Sequence, residues 1–139
     1  NGMLEAGGAW VGIEQLTLER VLGGLLQPLA WALGIPWDEA QLAGSLIGQK
    51  FILNEFVAYV SYSDVAGQLS PHSQGIVIFA LCGFANLSSI AILLGGLGAV
   101  APGRRDDISR YGLRALIAAS LSNLMSAALA GFFLTLGAV

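Results

Sequence analysis

Charge is what this sequence has least of. Only 11% of its 139 residues are Asp, Glu, Lys or Arg, where about 25% is usual for a soluble globular chain. So few charges cannot cover a water-facing globule, and with 55% hydrophobic residues the composition is that of a membrane protein. The net charge is −3 and no basic stripe runs along the chain, which excludes nucleic acid as a partner. Cysteine is nearly absent too. Cys82 stands alone in an apolar stretch, so no disulfide framework follows and no redox compartment can be assigned. His72 is the single histidine and has no metal-spaced neighbour, so it reads as a solvated loop residue. Without a Ser/His/Asp, Cys/His or metal cluster, nothing recommends an enzyme. The glycines of LGGLGAVAPGRR look like a phosphate loop only superficially: they lack GK[ST] and suit a helix end. The opening NGMLEAGGAW has neither an initiator Met nor a basic segment ahead of an apolar core. It does not read as a signal peptide; it reads as the tail of something longer.

What charge there is falls in islands. No Asp, Glu, Lys or Arg occurs between Asp64 and Arg104, and none follows Arg114. The first charge-free stretch, residues 75–100, exceeds the ~20 apolar residues that cross a bilayer as a helix, but FANLSS interrupts its middle. The second, 113–139, carries Ala118, Ser122, Ser126 and Ala130 at a four-residue spacing that lets another helix approach closely. Between them APGRRDDISRYGLR holds Arg104, Arg105, Arg110 and Arg114, four of the six basic residues. The positive-inside rule places this loop in the cytoplasm. The first spanning helix then runs inward, and the second runs outward.

Upstream, TLERVLGGLLQPLAWALGIPW begins with a Thr17 cap and Glu19 in the first turn. Its uncharged part is short for a span, and Trp31 and Trp37 favour the interface. It reads as a helix along the outer face, with a kinked buried helix as the alternative. In WDEAQLAGSLIGQKFILNEFVAYVSYSDVAGQLSP the apolar pieces run about ten residues each, a length that suits re-entrant or core segments. Asp38 and Glu39 suit the cap of the first arm and Gly48 the turn, giving a helical hairpin that enters and leaves from one side. No internal repeat is visible.

Two constellations carry chemistry. If GQKFILNE is the hairpin tip, Asn54 caps the second arm and Glu55 lies in its first turn, where exposed N–H groups and the helix dipole favour a carboxylate. An ionised group at membrane depth costs ~2.5–3.5 kcal/mol even on the gentlest scale, so Glu55 is a functional candidate by default. A carboxylate can accept two hydroxyl hydrogen bonds, which suits a sugar diol. The plainer alternative pairs it with Lys50 or leaves it as a cap. The second constellation is GFANLSS. Asn86 and Ser89, three apart, share a helix face, and Phe84 offers a ring to an aromatic ligand, with Gly83 permitting close approach or unwinding. The alternative here is hydrogen bonding to neighbouring helices. Ser122 and Asn123 suit helix packing.

GQKFILNEFVAY followed by FALCGFANLSSIAILLGGLGAVAPGRRDDISRYGLRA resembles the C-terminal half of the concentrative nucleoside transporters. The resemblance implies an all-α membrane fold, one half of an inverted-repeat transporter, with an interfacial helix, a re-entrant helical hairpin and two transmembrane helices, one of them broken. It assigns residues 1–16 to the end of a scaffold helix and a loop, 17–36 to the external interfacial helix and 37–70 to the hairpin. Residues 71–103 become the broken helix, 104–112 the cytoplasmic basic loop and 113–139 the C-terminal helix. By position, Glu55, Asn86 and Ser89 resemble ribose-binding residues and Phe84 a residue packing near the nucleobase. The implied activity is cation-coupled nucleoside symport, with sodium the favoured ion, in a homotrimer in the inner or plasma membrane. The missing N-terminal half would bind the coupling ion, Na+ or H+, and no other cofactor is implied. Two other classes stay in view. A non-transporting membrane scaffold or assembly subunit would tolerate Glu55→Gln and Asn86→Ala, and a membrane enzyme using Glu55 as a base would need a second acid, base or metal.

Overall fold

The computed structural model describes Gly2 and residues 17–137; the expected end of a scaffold helix in residues 1–16 lies outside the described residues, Gly2 apart. All regular structure among them is helical: α1 (Leu18–Ala32), α2 (Trp37–Ile52), α3 (Glu55–Val65), α4 (Pro71–Leu81), α5 (Leu87–Val100) and α6 (Arg105–Gly137), with short 3-10 turns at Ala66–Gln68 and Pro102–Arg104. Thr17 starts α1 as expected, its hydroxyl accepting from Arg20 N–H at 3.3 Å. Gly34, at φ +102°, ends the segment, and Ile35 N–H turns back to the Ala30 carbonyl at 3.3 Å. That backbone region is open to glycine at no steric cost.

The centre of the fold is α2. Every residue from Ala43 to Lys50 is buried, the signature of a helix enclosed on all sides rather than lying at a surface. Small residues make this possible. A Cβ on Gly44 would stand 2.9 Å from the Leu26 carbonyl carbon, and one on Gly48 would stand 2.7 Å from Leu22 Cβ, so α1 lies directly against the backbone of α2. Gly48 therefore serves packing and not the turn expected of it. The helix runs on to Ile52, and the chain reverses at Leu53 and Asn54. The expected cap by Asp38 or Glu39 is also absent: Pro36 precedes α2 without a side-chain cap. Glu39 instead accepts from Ser70 N–H (3.1 Å) and Ser70 Oγ (3.0 Å), tying the base of the α2–α3 hairpin to the start of α4. Inside the hairpin Ser61 Oγ donates to Gln49 Oε1 at 2.7 Å.

The stretch 71–100 is two half-helices, separated by Cys82–Asn86. Alone among the described helices, α6 is long and apolar enough to cross a membrane. Its 33 residues span about 50 Å at 1.5 Å per residue, longer than a hydrocarbon core of ~30 Å. This corrects the reading of 104–112 as loop. Residues 105–112 are helical, with Asp106 and Asp107 in the first turn where the dipole favours acids. Among the described residues α6 packs through a face other than the small-residue stripe. Gly112, Leu124, Ala127 and Gly131 are buried, whereas Ala118, Ser122 and Ser126 are exposed. Gly131 admits Ile76, whose Cδ1 would lie 2.7 Å from an added Cβ.

Candidate functional site

A helix that stops leaves its last carbonyls short of intrahelical donors, and when buried each needs one; at the end of α4 the Cys82 N–H reaches Ile78 O at 3.2 Å and Phe79 O at 3.3 Å. Three side chains from three elements supply further donors there. Tyr59 OH of α3 donates to Ile78 O at 2.9 Å, Asn123 Nδ2 of α6 to Phe79 O at 3.0 Å, and Lys50 Nζ of α2 to Ala80 O at 2.7 Å. Lys50 Nζ also donates to Asn123 Oδ1. Lys50 is fully buried, and its charge sits where the negative end of the α4 dipole stabilises a cation. Gly83 lies close beside it: a Cβ there would stand 2.6 Å from the Asn123 side chain and 2.9 Å from Lys50 Nζ, so a larger residue would displace both side-chain ends. Close approach is thus the role of this glycine.

Five residues beyond the end of α4, Asn86 starts α5. Its Oδ1 accepts from Ser89 N–H (2.9 Å) and Ser89 Oγ (3.1 Å), an N-cap that satisfies one orphan donor. Ser89 Oγ also lies 2.8 Å from Phe84 O. The Asn86 amide nitrogen points the other way, to Phe84 O at 3.2 Å and to Glu55 Oε2 at 3.3 Å. Glu55 opens α3, capped as expected by Asn54, whose Oδ1 accepts from Val57 N–H at 2.9 Å. The carboxylate is therefore set in the first turn of one helix and against the cap of another.

Glu55, Asn86 and Ser89 form one hydrogen-bonded group. Phe84 joins it through its carbonyl, while its ring remains 62% exposed. The alternative pairing of Glu55 with Lys50 is not what forms, since the ammonium is engaged with Ala80 and Asn123. Sequence reasoning missed the role of Lys50 and Tyr59. The available signal was a lysine in an apolar run, which demands buried acceptors. An open groove of about 1150 Å³ between α4 and α6 is bordered by Pro71, His72, Phe79, Leu129, Phe133 and Leu134. It is lined mainly by apolar groups and includes neither Glu55 nor Asn86, so the chemistry lies elsewhere.

Residues 1–131 match the family model of the Na+ dependent nucleoside transporter C-terminus. The chain is similar to the putative nucleoside permease NupX of Escherichia coli (strain K12), 55% identical over 132 residues that cover 93% of this chain and 32% of that protein. It is also similar to sodium/nucleoside cotransporter 1 of Rattus norvegicus, at 38% identity over 94% of this chain and 22% of the relative. Among solved structures, CNTnw in an inward-facing substrate-bound state superposes with a TM-score of 0.94 at 53% identity, covering 100% of this chain and 35% of that one. The chain spans about a third of the bacterial relative it matches. It belongs to the family of concentrative, Na+ dependent nucleoside transporters and corresponds to their C-terminal part.

Proposed function

We propose that this chain supplies the ribose-binding part of a sodium-coupled nucleoside symporter. The observation that carries the reading is the Glu55 carboxylate against the Asn86 amide at 3.3 Å, at the break of a helix. Glu55 accepts a single hydrogen bond among the described residues, and a carboxylate has capacity for more. Two vicinal hydroxyls of a ribose fill that capacity. Asn86 and Ser89 add an amide and a hydroxyl, and the exposed Phe84 ring offers a face to the base. Sodium is favoured because the mammalian relative is a sodium/nucleoside cotransporter.

In this reading residues 17–36 lie along the external interface, where Trp31 and Trp37 stand edge to face with centroids 6.3 Å apart. Residues 37–70 form a re-entrant hairpin, 71–103 cross as a broken helix, the arginine-rich stretch from Arg104 faces the cytoplasm, and α6 returns. The remaining two thirds of the transporter supply the cation site and the inverted repeat. The assembly is a homotrimer in the inner or plasma membrane, and the hairpin and broken helix carry substrate across by alternating access.

The test is uptake of labelled uridine into proteoliposomes holding the full-length parent, with and without a sodium gradient, wild type beside Glu55→Gln. Sodium-driven uptake that Glu55→Gln abolishes in a folded protein is the expected result. Uptake that survives the substitution makes Glu55 structural, and uptake driven by a proton gradient alone changes the ion only.

A further inference from the structure

The hairpin tip grips the broken helix at both ends with opposite charges. Lys50, on the arm before the tip, binds the carbonyl end of α4 through Ala80 O. Glu55, on the arm after it, binds the N-terminal end of α5 through Asn86. Each charge faces the helix end that its sign favours. Only Phe51–Asn54 separate the two in sequence, and Gly83 in the break lies so close to the ammonium that a side chain there would collide with it. We infer that Lys50 is a positioning residue for substrate: buried beneath Gly83 and held by Ala80 and Asn123, it fixes the unwound segment so that Phe84, Asn86 and Ser89 meet Glu55.

A lysine serving only to satisfy a helix end is a costly choice, because burying an ammonium is expensive and a neutral donor completes a carbonyl as well; Tyr59 and Asn123 do so at the two neighbouring carbonyls. What the lysine adds is a fixed charge joining α2, α4 and α6 at one atom. With that atom gone, the break is free to shift relative to Glu55 by the fraction of an ångström that separates a matched diol site from a mismatched one.

This inference rests on the ribose assignment, and the experiment separates the two. Dissociation constants for uridine and 2′,3′-dideoxyuridine are measured by calorimetry on the purified full-length parent, alongside thermal stability and maximal uptake rate. Lys50→Met is expected to reduce the preference for uridine by tenfold or more, chiefly by weakening uridine, with dideoxyuridine changed less than threefold. Lower stability or uptake rate with an unchanged preference overturns the inference and leaves Lys50 a cap. If Lys50→Met does not fold, the same ratio is read in Lys50→Met with Asn123→Leu, which replaces both polar partners by apolar groups of similar size. Glu55→Gln serves as the reference. If it keeps the preference for uridine, the ribose assignment falls and this inference with it; if it loses the preference while Lys50→Met keeps it, this inference alone falls.

Discussion

The two ends of the broken helix are finished in opposite ways. The α4 end is closed: Tyr59, Asn123 and Lys50 reach in from three helices and complete three successive carbonyls. The α5 end is largely self-made. Asn86 and Ser89 cap it from its own first turn, and the group arriving from elsewhere is the Glu55 carboxylate, which accepts a single hydrogen bond among the described residues. A buried polar group with all its partners is finished structure; a carboxylate with spare acceptor capacity has room for further donors. The closed end should govern stability and, Lys50 apart, the open end should govern affinity.

The substitution expected to do most damage to stability is Asn123→Leu. It takes one donor from Phe79 O, which keeps the Cys82 N–H at 3.3 Å, and deprives the buried Lys50 ammonium of one acceptor. The loss at the buried charge costs about 2–3 kcal/mol, read as a lowered denaturation midpoint of the detergent-solubilised full-length parent. A midpoint unchanged from wild type removes the closed end from the comparison. Asn86→Ala comes next. Losing the cap costs about 1 kcal/mol, but uridine affinity should fall by more than tenfold in the same calorimetric titration. An Asn86→Ala protein that binds uridine normally makes the open end no more than a cap.

The open end was partly legible in the sequence and the closed end was not, for a physical reason. Caps are local, and Asn54 was read as one; Asn86, expected to share a helix face with Ser89, is instead the extended N-cap of α5. The closed end joins Lys50, Asn123 and Tyr59 to carbonyls 19 to 44 positions away, and no periodicity encodes such a meeting. Gly48 misled because a glycine in an apolar helical run is compatible with a turn or with a close neighbour, and the neighbour, Leu22, belongs to another element. Asp106 and Asp107 looked like loop residues for their charge, yet they occupy the first turn of α6, where acids are favoured. The helix expected over 113–139 is helical as far as Gly137, the last described residue. Its small residues at Ala118, Ser122, Ser126 and Ala130 permit close packing, but the face buried among the described residues is that of Ala127 and Gly131.

The smallest effect sharpens the comparison most, because it asks whether the closed end is one unit or several. Tyr59 OH reaches Ile78 O at 2.9 Å and lies 3.1 Å from Cys82 Sγ. Tyr59→Phe removes one neutral donor and keeps the ring, a loss of about 0.5–1 kcal/mol. Ile78 O retains a second donor, the Cys82 N–H at 3.2 Å, which softens the loss further. Lys50 and Asn123 stay in place, so the break should hold its shape and the uridine dissociation constant should stay within twofold of wild type. A small drop in melting temperature with unaltered affinity makes Tyr59 an independent cap. A tenfold loss of affinity would instead make the three side chains one cooperative clamp, with the closed end controlling the open one through every member rather than through Lys50.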